Sequence, residues 1–412
     1  MNSEGNNTKK KTLAVASDLI YSIAGLVCMN GVLQLFMYPY LTKKMGEGPF
    51  GNVLTLLAVV SILATTFGSG ANYSRMVSKT KGHDNNGDYN IYLAITSVIS
   101  VIISVLSVYF IVGPQNLVYM TGFAILTVVS ILRYYGDVEY RLNVNFKGFF
   151  IFYLLISIGY TLGTAIYPFT KSWILAVVAG EVACFVYVII KGSIFSGKGL
   201  FKPSEHFKEN IRSMVLLSLT NMINALVLQS DKILLNIKLG GESVTVFYAA
   251  TLVGKIIALL TTPLNGVIIG YLSKYKGKFT KKFFTIVIAA ALGVGAVFVV
   301  GCFVASHIFV GIMYPGEVYN AAKEYFFLAN AGQILYFISG SLMVVVLRFT
   351  DEKYQLIINM TYAVLFALIV IPSVWLYGLW GITFGLLAVN AIRFILVAAV
   401  GFLSIRKREA SI

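Results

Sequence analysis

The chain has 412 residues, 58% of them hydrophobic and only 12% charged, with a formal net charge of +15. Soluble domains carry about 25% charged residues, so this composition excludes a soluble globular protein. Apolar stretches long enough to cross a bilayer recur along the whole length and make it a polytopic membrane protein. The basic residues cluster between those stretches, so the positive balance reads as orientation in a membrane and not as a nucleic-acid footprint.

At the start, Lys9, Lys10 and Lys11 precede an apolar run from Leu19 to Leu41. That run is too long for the core of a signal peptide, and no small-residue cleavage site follows it, so it is read as an uncleaved first span. Continuing along the chain, spans are predicted at about 17–42, 49–72, 89–112, 116–133, 147–168, 172–191, 212–238, 244–272, 282–309, 321–347, 354–377 and 379–404. Runs of this length are helices and not barrel strands, which alternate in short segments. The fourth is the weakest, because its end runs into RYYGDVEYR.

With the N-terminus inside, the cytoplasmic segments hold 24 Lys and Arg and the external loops 5. The remaining three, Lys232, Lys255 and Arg393, fall inside spans. This asymmetry predicts twelve helices with both termini cytoplasmic. The longest loop, KGSIFSGKGLFKPSEHFKEN, follows the sixth span. It divides the chain into a six-helix lobe at 1–195, a linker at 196–211 and a second six-helix lobe at 212–412. The external loops are short, leaving no room for an external active site, and no catalytic residue is assigned.

Cys28, Cys184 and Cys302 each lie in an apolar run. His83, His206 and His307 are scattered. These residues predict neither a disulfide framework nor a metal site, and no cofactor is expected.

The two halves share a pattern. Leu41, Lys44 and Gly46 end one span as Leu235, Lys238 and Gly240 end another. Each triplet is followed by an aromatic residue (Phe50 or Phe247), a Thr-Leu pair (Thr55-Leu56 or Thr251-Leu252) and a later Ser-Lys. A duplicated lobe places a substrate path in a central cavity between pseudo-symmetric halves. The stretch GLVCMNGVLQLFMYPYLTKKMGEGPFGNVLTL resembles the opening of bacterial polysaccharide repeat-unit flippases of the O-antigen type. They belong to the superfamily of multidrug extruders, oligosaccharidyl-lipid flippases and polysaccharide exporters. SDKILLNIKLGGESVTVFYAATLVGK resembles the matching join in that superfamily's second lobe. The resemblance spans the whole chain but rests on fold-level motifs. It implies a two-lobed, alternating-access transporter of the bacterial inner membrane, with undecaprenyl-diphosphate-linked oligosaccharide as cargo and polysaccharide polymerase machinery as a partner.

Polar residues inside the spans supply candidates. On the seventh, Ser218, Asn221, Asn224, Asp231, Lys232 and Asn236 share one face, opposite Leu217, Leu219, Leu226 and Leu228. Asn30 and Gln34 on the first span and Asn390 on the last extend the polar path. Lys232, Lys255 and Arg393 are the candidate cations for a diphosphate, Arg393 as a bidentate clasp. Glu181 and Asp231 are the carboxylates that could couple H⁺ or Na⁺ flow to transport. Pro39, Pro263 and Pro372 predict kinks. Gly159, Gly163, Gly293 and Gly295 predict close helix contacts. Two alternatives stand beside the flippase reading: a multidrug/cation antiporter of the same superfamily, whose cavity calls for acids, and a membrane glycosyltransferase or polymerase.

Overall fold

A computed structural model describes residues 17–18, 20–196, 199–259, 261, 264–265, 268, 272, 280–350 and 353–409. Thr262, Pro263, Lys9, Lys10, Lys11 and most of the stretch from Asn265 to Lys274 lie outside these residues. The described residues form helices and contain no strand. In chain order the long helices are α1 Ile20–Met45, α2 Glu47–Thr80, α3 Asn86–Ile111, α4 Leu117–Leu142, α5 Phe146–Thr170, α6 Trp173–Lys191, α7 Phe207–Leu239, α8 Gly241–Ala258, α9 Lys281–Met313 and α10 Glu317–Leu347. The last continuous stretch, Lys353–Arg406, has 54 residues. At 1.5 Å per residue it would be about 80 Å long, far beyond a hydrocarbon core of about 30 Å. Gly378 resolves this, because its φ of 58° and ψ of −128° break the helix. The stretch is therefore two spans, α11 (353–377) and α12 (379–406), and the described residues form twelve long helices of a multi-pass membrane protein.

Local sequence explains where helices start. Asn85, Asn116, Asn145, Ser172 and Thr280 each accept a backbone N–H of the following first turn. Two observed ends differ from the sequence reading. α2 runs to Thr80 and α4 to Leu142, so Arg75, Lys79 and Arg141 are helical and Arg133 lies well inside its helix. Set aside, these four leave the segments read as cytoplasmic still richer in Lys and Arg than the loops read as external.

Pro39 and Pro372 each follow a widened, π-helical turn. A π-helical turn, Val32–Met37, ends two residues before Pro39, and another, Phe366–Val370, ends two residues before Pro372. A proline ring excludes the carbonyl four residues back, here Leu35 or Leu368, and each falls inside the widened turn. A third π-helical turn, Ala64–Ser69, ends beside Gly70.

The internal repeat extends to backbone conformation. Gly46 and Gly240 both have φ of 87°, a region that a side chain disfavours. Leu41 and Leu235, Phe50 and Phe247, and Thr55 and Thr251 are all at most 1% exposed. The recurring residues are therefore core positions in both halves.

Contacts divide the chain into two compact units. One contains α1 up to Gly46 together with Asn52–Ile233; the other contains Glu47–Gly51 and the chain from Leu234 onward. In the first unit α5 and α6 pack most closely. A β-carbon on Gly159 would lie 2.4 Å from the Gly180 Cα, and one on Gly163 2.3 Å from the Ala176 carbonyl oxygen. The linker after α6 is tied down by buried acids. Glu139 accepts the N–H groups of Ser193 and Ile194, and Asp88 accepts the N–H of Ser204 and the amide of Asn210. In the second unit, Phe284, Ile334, Phe337, Ile338, Leu342, Val346, Phe394 and Val397 form the core. Asn330 joins α10 to α8 through Gly254 N–H and the Ala250 carbonyl, at 2.7 and 3.0 Å.

Candidate functional site

Arg393 lies near the middle of α12, about 15 residues or ~22 Å beyond Gly378. Its side chain enters a seat made by α10 and α11. The guanidinium carbon lies 4.4 Å from the Tyr336 ring centroid and 5.3 Å from that of Tyr362. Nη1 donates to Ser339 Oγ at 3.2 Å and to the Tyr336 carbonyl at 3.4 Å. Tyr336 and Ser339 present one face because they are three residues apart on α10. Arg393 is only 8% exposed, and its Nε is buried without a hydrogen bond. Among the described residues no carboxylate oxygen lies within 4.0 Å of its guanidinium.

The magnitudes show what this seat leaves unsatisfied. Burying an ion costs several kcal/mol even after relaxation. Stacking a desolvated cation on aromatic rings returns about 2 kcal/mol, and a neutral hydrogen bond about 1 kcal/mol net. An anion brought to Arg393 would supply the larger compensation. Asn390, on the same helix, instead clamps α12 to α10 by donating to the Gly332 carbonyl at 2.9 Å, while its Oδ1 is buried and unbonded.

Lys255, on α8, is half-buried, with its ammonium 6.0 Å from the Phe247 ring and 5.9 Å from Tyr248. It belongs to the same unit as Arg393, and each cation sits on its own aromatic pair.

In the first unit, Lys232 lies 3.7 Å from the carboxylate of Asp231 and donates to Gln229 Oε1. Gln229 donates in turn to Ser61 Oγ at 3.2 Å. The two adjacent charges in the seventh span therefore compensate each other locally. Along the same helix Ser218 is buried, bonded to Tyr92 at 2.7 Å, and Asn221 is half-buried. Asn224 is exposed, as are Leu219, Leu226 and Leu228. Asn30 donates to the Leu26 carbonyl and accepts from Gln34 at 3.2 Å, Gln34 lying inside the π-helical turn and Asn30 just before it.

Glu181 is 2% exposed and paired: Arg133 Nε donates to Oε2 and Tyr160 to Oε1, each at 2.7 Å. No basic residue is near Glu181 in sequence, but α4 carries one to it. Sequence reasoning missed Arg133 because a hydropathy run naturally ends at a charge. The aromatic seat of Arg393 was missed too; the i, i+3 spacing of Tyr336 and Ser339 was the available signal. The histidines are not all scattered. His83 and His206 stack with ring centroids 3.6 Å apart beside Glu209, whereas His307 bonds to Tyr319 elsewhere.

No model of a known protein family matches the chain, and no curated protein matches it. Solved structures do. The chain is similar to Lipid II flippase MurJ in an inward closed conformation, at 14% identity and a TM-score of 0.72, over 92% of this chain and 86% of that one. It is similar to an inward-facing multidrug resistance MATE family transporter of the MOP superfamily, at 14% identity and a TM-score of 0.64, over 96% and 95% of the two chains. A MOP superfamily transporter from Pyrococcus furiosus, described as having a binding pocket of reverse polarity, matches at 16% identity and a TM-score of 0.63, over 97% and 96%. The likeness is one of fold. It does not single out the O-antigen class or any other cargo.

Proposed function

We propose that this protein is a transporter, not an enzyme, that flips undecaprenyl-diphosphate-linked oligosaccharide across the bacterial inner membrane by alternating access. The cargo class is that of polysaccharide repeat units such as O-antigen, and both termini are cytoplasmic. The observation that carries the reading is Arg393: a guanidinium buried at mid-span, seated on Tyr336 and Tyr362, with no carboxylate within 4.0 Å among the described residues. A diphosphate satisfies such a group with charge and with paired oxygens that match the guanidinium fork. Lys255 adds a point charge in the same unit. Lys232, compensated by Asp231, contributes less.

The multidrug reading shares the fold, and MATE structures are among the similar ones. Its cationic cargo calls for a mid-span acid without a cation. Glu181 has Arg133 at 2.7 Å and Asp231 has Lys232 at 3.7 Å, which disfavours it. Polymerase machinery that consumes the flipped repeat unit would be the functional partner, and H⁺ or Na⁺ coupling through Asp231 or Glu181 is part of the proposal.

Binding tests the reading directly. Purified protein in nanodiscs is titrated with undecaprenyl diphosphate, undecaprenyl monophosphate and ethidium. The diphosphate should bind most tightly, with Arg393→Ala weakening it more than about tenfold and Arg393→Lys less, because Lys keeps the charge and loses the fork. Tighter ethidium binding that is insensitive to Arg393→Ala would overturn the anionic-cargo reading.

A further inference from the structure

The linker that follows α6 returns to the turn between α2 and α3, and there the structure gathers three potential metal ligands. His83 comes from the 81–85 turn, His206 from the residue before α7, and Glu209 from the first turn of α7. Their ligating atoms all lie within 4.8 Å of one another. All three residues belong to the first unit. His83 Nδ1 faces Glu209 Oε2 at 3.3 Å, and this nitrogen is buried and makes no hydrogen bond. Lys81 holds the other carboxylate oxygen, Oε1, at 2.9 Å, which leaves Oε2 directed at the histidines.

We infer that His83, His206 and Glu209 form a binding site for a divalent first-row transition metal, Zn²⁺ being the best fit, that staples the α2–α3 turn to the start of α7. Zn²⁺ takes imidazole nitrogen at 2.0–2.1 Å and carboxylate oxygen at 2.0–2.2 Å in tetrahedral array, so neighbouring donors sit about 3.4 Å apart. The His83–Glu209 pair already stands at that separation, at 3.3 Å. The His206 nitrogen lies within 4.8 Å of the other two donors, so it needs to close by at most about 1.4 Å, and its ring must tilt out of the parallel stack, in which the interplanar angle is 7°. Two imidazoles and one carboxylate form a borderline donor set suited to Zn²⁺ and unsuited to Ca²⁺ or Mg²⁺, which take oxygen. One coordination position is left for water.

The frame around the site is already held. The Asn210 amide donates to the His83 carbonyl at 2.9 Å and to Asp88 at 2.8 Å. His83 N–H donates to the Ser78 carbonyl at 3.0 Å. Ser204 Oγ accepts the N–H of His206, and Ser204 itself is bonded to Asp88. Backbone positions fixed in this way limit the cost of assembling the ligands. Because the cluster spans the connection into α7, bound metal would restrain that helix relative to α2 and α3. That is a control on the transporter which does not depend on its cargo.

The test uses the full chain, purified without a polyhistidine tag and stripped with chelator. Zn²⁺ is titrated calorimetrically, and Co²⁺ is added separately as a visible probe of coordination. One Zn²⁺ per chain should bind saturably, with Co²⁺ giving a ligand-field spectrum that Zn²⁺ abolishes. His206→Ala and Glu209→Gln should each weaken binding more than about tenfold, while His307→Ala should leave it unchanged. His206 and Glu209 are exposed, so these variants keep the fold, which elution as a monodisperse species checks. Absence of saturable 1:1 binding, or parental affinity in His206→Ala and Glu209→Gln, would overturn the site.

Discussion

Glu181→Ala removes one half of the buried pair that joins α4 to α6. The Arg133 side chain is 10% exposed and the Glu181 side chain 2%, and they meet at 2.7 Å. Deleting one partner of such a pair costs about 3–5 kcal/mol, because the other charge stays buried. The Tyr160 hydroxyl, 2.7 Å from the second carboxylate oxygen, loses its acceptor for about 1 kcal/mol more. The expected loss is therefore about 4–6 kcal/mol. In the double variant Arg133→Met/Glu181→Ala neither charge remains, and stability should return to within about 2 kcal/mol of the parent. Equilibrium unfolding of the purified chain in mixed SDS micelles, followed by circular dichroism, measures each corner of the cycle. Additive losses, or a Glu181→Ala variant as stable as the parent, would refute the structural pairing. If that stable variant also lost transport, the loss would assign the proposed ion coupling to Glu181.

Other consequences are equally open to measurement. Gly159→Val forces a side chain against the Gly180 Cα, 2.4 Å from the position of its β-carbon. It should lower the apparent melting temperature, reflecting about 1–3 kcal/mol or more of overpacking. Gly293→Ala, with no atom of another described element within 4 Å of the added carbon, should leave that temperature unchanged or raise it slightly. Gly378→Ala places a β-carbon at φ 58° and ψ −128°, and should destabilise by about 1–3 kcal/mol in the same thermal assay; an unchanged melting temperature would mean that α11 and α12 are not separated by this residue.

Much of the fold is legible in residue order because lipid allows little else. Backbone groups in hydrocarbon must be bonded within the helix, so long apolar runs translate into spans, and the break anticipated between 377 and 379 falls at Gly378. The repeat is legible as well, since Gly46 and Gly240 mark turns of the same φ. Pairing is what residue order hides. Arg133 ends an apolar run and reads as the boundary of the fourth span, yet it pairs with Glu181 on α6. His83 and His206 meet only because Asp88 and Asn210 fold the linker back onto the α2–α3 turn. Proline predicted a kink at Pro39 and Pro372 but not the π-helical turn before each, since that response depends on how the preceding carbonyls are re-bonded. At the candidate site, Arg393 stood out by its charge. Its consequence depends on Tyr336, Ser339 and Tyr362, three residues that look like ordinary membrane-helix side chains in the sequence.

The central claim is that Arg393 serves an anionic lipid-linked cargo. The most direct measurement is mass spectrometry of undecaprenyl-diphosphate oligosaccharides from cells lacking this protein, alongside their surface polysaccharide. One repeat unit should accumulate while surface polymer disappears. The parent should restore both, and Arg393→Ala, present in the membrane at the same level, should not. Unchanged lipid intermediates in the deleted cells, together with raised sensitivity to cationic drugs, would contradict the account and assign the fold to drug extrusion.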